Sequence, residues 1–136
     1  MKLNYALVAD QAFLSIDKKV NIIGVFETIN AVSFPVSHPK FVVVGSIEPS
    51  RQVFKMAINI VDAMSGEKVI DTNTEREIKL PPDQALTNFN FIIEVVNIAF
   101  KAAGNYRIEI VVDNQKLGEI SMKVAKAAAP TASAAA

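Results

Sequence analysis

Apolar and polar side chains alternate with a period of two over much of this chain, most cleanly from Gly104 to Val124. There Tyr106, Ile108, Ile110 and Val112 share one side while Arg107, Glu109 and Asp113 share the other, as a half-buried strand requires. Asp113 and Asn114 tolerate left-handed backbone geometry, so the segment predicts two antiparallel strands joined by a tight turn. The second of them is expected to bury Ile120, Met122 and Val124. Residues 54–62 repeat the pattern, with Phe54, Met56, Ile58 and Ile60 directed at a core.

Elsewhere the pattern is interrupted in ways that carry information. Residues 3–16 predict a first strand, with Asp10 and Gln11 marking a bend or bulge where it changes partner or face. Asp17, Lys18 and Lys19 form a polar turn into a second strand from Val20, and Gly24 marks a bulge or a close backbone approach. Pro35 and Pro39 remove amide donors, predicting an irregular connection that crosses between sheets and excludes regular pairing. Phe41 to Ile47 is an unbroken apolar run, expected to be a central strand covered on both faces. Residues 68–77 predict an exposed or edge strand. Pro81, Pro82, Asp83 and Gln84 predict a loop with one helical turn. Phe89, Phe91, Ile93 and Val95 are in one phase and Val96, Ile98 and Phe100 in the other, which predicts a bulge or break near Val95 and Val96.

About eight strands with no amphipathic helix imply an all-β protein, a two-sheet antiparallel β-sandwich, with a closed barrel as the alternative. Residues 1–125 are expected to form that domain, and 126–136, KAAAPTASAAA, a flexible Ala-rich tail. The 136 residues, 51% apolar and 21% charged, suit one ordered domain. The absence of cysteine excludes disulfides, zinc-thiolate sites and thiol catalysis, and suits a reducing cytoplasm. Fourteen basic against fourteen acidic residues leave no general attraction for phosphate backbones or anionic lipid, so neither nucleic acid nor membrane is expected as a partner. Asn4 and Asp10 interrupt the opening apolar run before a signal-peptide core or membrane span could form.

Candidate chemistry is sparse. His38 is the only histidine and sits between Ser37 and Pro39, so a histidine metal cage is excluded and a structural hydrogen-bonding role is expected. Ser15, Ser33 and Ser37 lack the glycine-flanked elbow of a serine nucleophile. Asp10, Asp62, Asp71 and Asp113 fall near strand ends or bends, where sandwich domains sometimes gather calcium ligands. Their spacing is not a calcium motif, and turn formation accounts for Asp62 and Asp113 more economically. Phe13, Phe26, Phe41, Phe54, Phe89, Phe91 and Phe100 are expected in the core. Lys18, Lys19, Lys40, Arg51 and Lys55 are expected on a solvated surface interleaved with Glu27 and Glu48.

Two stretches, SIDKKVNIIGVFETINAVSFPVSHPKFVVV and NIAFKAAGNYRIEIVVDNQKLGEISMKV, carry a resemblance. They are similar to an uncharacterised bacterial β-sandwich family, a domain of unknown function, in which a turn, a Gly-Val-Phe strand, a Phe-Pro…His-Pro connection and a Gly-x-Tyr hairpin follow in that order. The resemblance implies an immunoglobulin-like sandwich in a bacterial cytoplasm and supplies no catalytic residues. Where that family often has Asp-Gly-Lys, this chain has Asp17, Lys18 and Lys19. Gly104, Asn105 and Tyr106 also fit the corner of immunoglobulin-like domains, where a tyrosine bonds nearby backbone.

With no catalytic, cofactor-binding or metal residues assigned, the expected function is a non-enzymatic protein-interaction or structural module. A protein partner or self-association would use an edge strand or loop face. The alternative is a small-ligand or carbohydrate-binding domain with a pocket at one end of the sandwich.

Overall fold

A computed structural model of the chain describes residues 1–69, 75–82 and 86–127. Nine strands make up the described fold: β1 (Lys2–Leu14), β2 (Val20–Val25), β3 (Thr28–Ala31), β4 (Val36–Glu48), β5 (Val53–Asp62), β6 (Arg76–Lys79), β7 (Phe89–Phe100), β8 (Gly104–Val112) and β9 (Gln115–Lys126). No helix occurs among the described residues. The strands form two sheets, ordered β2-β1-β4-β7 and β3-β9-β8-β5-β6. The five-stranded sheet curls into a half-barrel.

One core joins the sheets. Val8, Phe41, Val43, Ile47, Phe91, Ile93 and Phe100 from the first meet Phe54, Ile58, Ile60, Ile108, Ile110 and Val124 from the second. These are the in-facing positions of alternating strands, and each apolar side chain so buried stabilises the fold by roughly 1.5–3 kcal/mol. β8 and β9 realise the expected hairpin, and its two turn residues, Asp113 (φ 48°) and Asn114 (φ 65°), take the left-handed geometry that joins strands tightly.

The pairing is not wholly antiparallel: β3 runs parallel to β9, from Thr28 beside Lys123 to Ala31 beside Lys126. The predicted second strand is therefore two, because after Val25 the chain leaves the β1 sheet and joins the other as β3. Ala127 also donates to the Ala31 carbonyl at 2.8 Å, so the paired backbone passes the boundary expected at residue 125. Residues 128–136 of the expected tail, and 83–85 of the expected helical turn, lie outside the described residues.

The proline-containing connection is shorter than its sequence implies. Val36, Ser37 and His38 already pair with Phe100, Ala99 and Ile98, so Pro39 lies inside β4 rather than in a loop. It is level with Asn97, whose φ is 52°. A residue without an amide thus faces a residue with left-handed backbone, and the side-chain phase changes in both strands at once. The phase change expected near Val95 and Val96 therefore falls at Val96 and Asn97, with no register shift between β4 and β7. Val96 is left outside the core.

In β1 the register shift lies between Leu3 and Tyr5, whereas the region of Asp10 and Gln11 is where the strand changes partner. β1 pairs with β4 through Ala9 and with β2 from Ala9 to Leu14. Beyond Ala9 the β1–β2 hairpin becomes an arm. Its Ala12, Val20 and Ile22 pack against Ala9, Val42 and Val44, on the side of β4 turned away from the main core. The central strand read from residues 41–47 is thereby covered on both faces.

Candidate functional site

The arm exposes apolar side chains, and the cleft at its base holds an exposed aspartate, Asp10. Past Val25 the chain crosses between sheets, with the Phe26 amide bonded to the Val8 carbonyl at 3.1 Å and the Glu27 carbonyl accepting from the Lys123 amide at 2.9 Å. The crossing leaves a cleft of about 320 Å³, bounded by Asp10, Gly24, Phe26, Thr28, Asn30 and His38 among others. Gly24 has φ 76°, and a Cβ there would collide with the Asp10 carboxylate. Only glycine adopts that backbone readily while letting a carboxylate lie against it.

The register that sets Ala9 beside Val25 and Gln11 beside Ile23 brings Asp10 level with Gly24. Among the described residues, no lysine or arginine lines the cleft. The His38 ring lies 6.3 Å from that of Phe26 and 5.8 Å from that of Phe41, so it packs as an aromatic wall. Asp10 and His38, singled out separately in the sequence, thus share one cleft, without a hydrogen bond between them. Ser15, Ser33 and Ser37 do not line it. The arrangement offers a carboxylate, an amide and a hydroxyl beside aromatic and aliphatic surface; it does not offer a nucleophile with its base.

The remaining aspartates are engaged locally. Asp62 Oδ1 accepts from the amides of Met64 at 2.8 Å and Ser65 at 3.4 Å, tying the turn after β5. Asp113 Oδ1 accepts from the Lys55 amide at 2.9 Å, and Oδ2 accepts from Arg51 Nε at 2.8 Å. Those two contacts, the backbone one first, hold the Asp113 carboxyl below its ordinary value. Asp71 lies outside the described residues. Among the described residues no group of three or more metal-ligating side chains comes together.

A smaller hollow beside Tyr106 is lined by Asp62, Glu67, Lys68, Val69, Ala99 and Lys101. Burial, and secondarily the Asp62 charge, raise the Tyr106 phenol above its ordinary value. Its hydroxyl is committed to the backbone, donating to the Ala102 carbonyl at 2.7 Å. Phe100 packs edge-on against the same ring at 4.9 Å.

The two sheets present very different outer surfaces. The five-stranded sheet carries a charge ladder, with Arg107 3.5 Å from Glu119 and Lys116 3.4 Å from both Glu109 and Glu119. The arm, by contrast, exposes Phe13 (49%), Ile23 (53%) and Val25 (59%), with Leu14 and Ile16 exposed at its tip. Phe13 therefore departs from the expectation that it joins the core. Lys40 pairs with Glu94 and Lys19 with Asp17, so the basic side chains form no patch apart from acidic neighbours.

A family model, that of the family of unknown function DUF6941, matches residues 4–125. The chain belongs to this family. Both the arm and the cleft of this DUF6941 chain fall inside the matched span. No curated protein matches it. Among solved structures, Pseudomonas fluorescens alkylpurine DNA glycosylase AlkC bound to DNA containing an abasic site analog is similar with TM-score 0.47 and 13% identity. The match covers 91% of the DUF6941 chain and 30% of the glycosylase.

Proposed function

We propose that this protein is a non-enzymatic interaction module, of immunoglobulin-like sandwich form, that docks a protein partner on its β1–β2 arm. The observation that carries the reading is the arm's outward apolar surface, set on an edge strand that lacks any charged residue or proline from Val20 to Val25. Edge strands of monomeric proteins are commonly blunted by lysine, proline or a bulge, and exposed contiguous apolar surface marks an interaction site. The bond from Tyr106 to Ala102 and the core shared by two sheets support the immunoglobulin-like reading. A bacterial cytoplasmic setting belongs to the same proposal and rests on the cysteine-free composition and the family resemblance.

A photo-reactive amino acid placed at Phe13, Ile23, Arg107 or Glu119 in the native cell tests it. Specific adducts at the first two positions and none at the second two are expected. Adducts confined to the charged sheet would refute the assignment.

The second reading, a small-ligand site, is favoured by the cleft, where Asp10, Thr28 and Asn30 converge beside His38 and Phe26. Metabolite and glycan panels read by thermal shift separate the two, since a saturable ligand raises Tm by mass action.

A further inference from the structure

We infer that the partner segment is an extended strand which adds to the free edge of β2 and carries an arginine or lysine that meets Asp10. This deepens the docking reading above and rests on it. Three features converge. Among the described residues no strand pairs with the outer edge of β2. Gly24, in that strand, has no side chain, and the Asp10 carboxylate occupies the space its Cβ would take. The Asp10 side chain is exposed and, among the described residues, has no hydrogen-bond or ion-pair partner.

Strand addition converts these into a specificity. In a sheet, residues level with one another on neighbouring strands point to the same face. A partner residue level with Gly24 therefore sends its side chain over Gly24, into the cleft that holds Asp10. Because the Asp10 carboxylate lies over Gly24, a partner side chain has about one strand spacing, roughly 4.7–4.9 Å, to cross before it meets that charge. A guanidinium or ammonium completes the charge, and Phe26 and His38 offer ring surface to a guanidinium plane. Exposed Ile23 and Val25 flank Gly24 along β2, so apolar residues are expected on either side of the basic position. The recognised pattern is apolar–basic–apolar in extended conformation, with main-chain bonds giving affinity and the cleft giving choice.

The test uses the full chain and an end-blocked nonapeptide alternating valine and threonine, with arginine at its centre flanked by valines. The same peptide with central glutamate is the comparison, and binding is read by fluorescence polarisation. The arginine peptide is expected to bind about tenfold tighter than the glutamate peptide, with the difference shrinking as salt is raised. Asp10→Asn, which preserves shape, is expected to reduce that preference to within about twofold while leaving Tm unchanged. Gly24→Ala, checked for folding by its melting curve, is expected to weaken both peptides.

Equal binding of the two peptides, or a preference that survives Asp10→Asn, overturns the inference. So does a stable dimer in light scattering combined with no peptide binding, which would place a second copy on the same edge. Photo-adducts at Phe13 and Ile23 accompanied by equal peptide affinities would leave the docking arm standing and remove only the basic residue. An arginine preference without arm adducts would do the reverse.

Discussion

Tyr106 reaches back four residues to the Ala102 carbonyl, and its buried ring packs edge-on against Phe100. One side chain therefore fixes both the path of the β7–β8 connection and the end of the core. Tyr106→Phe keeps the packing and loses the bond, and is expected to cost about 1 kcal/mol in urea unfolding. Tyr106→Ala also opens a cavity, with an expected loss of about 3–5 kcal/mol.

Asp113 supplies a pH dependence whose sign follows from its contacts. The Lys55 amide and then Arg51 lower its folded value below the ordinary 3.8. A carboxyl lowered on folding contributes stability above its unfolded value and loses that contribution as pH falls through the folded one. The Tm of the native sequence should fall more steeply below pH about 4 than that of Asp113→Asn. Asp17, lowered chiefly by Ser15, acts in the same direction in both proteins.

Asn114 has φ 65° in a turn of two residues. Asn114→Val imposes a branched side chain on left-handed backbone and is expected to cost about 1–2 kcal/mol. Asn114→Gly should leave the melting temperature equal or higher. Parallel calorimetric scans of the two variants check the order.

The arm's outward side chains do not hold the fold together. A double change, Phe13→Ser with Ile23→Thr, is expected to alter stability by less than about 1 kcal/mol, because each site is half exposed. Solubility should rise, and adducts formed from the arm should disappear. A large drop in Tm would assign these residues to the core instead.

Much of the strand pattern was legible because half-buried strands print their burial as alternation. Tyr106, Ile108, Ile110 and Val112 are all buried as their spacing predicts. The run from Phe41 to Ile47 correctly announced two covered faces, yet it did not say that the second cover is the chain's own hairpin. That depends on where β1 changes partner, and Asp10 and Gln11 marked the place without giving the direction. The parallel run of β3 beside β9 had no local signature, since Thr28 to Ala31 is four residues long and its partner lies roughly 95 positions away in sequence. The cleft was invisible for the same reason: Asp10, Asn30 and His38 come from three strands and meet only at a crossing between sheets. The outward face of Phe13, Ile23 and Val25 left one trace, the consecutive pair Ile22 and Ile23, which alternation with one wet face does not explain.

Pro39 and Asn97 stand level in adjoining strands that keep step from Val36 beside Phe100 to Ile47 beside Phe89. Each strand carries its own irregularity, and the two cancel. A residue inserted or deleted on one side alone would turn every side chain beyond it inside out, whereas the same edit made in both strands would be nearly silent. Evolution of length in this hairpin-free pair is therefore expected to be bookended, with gains and losses arriving in twos.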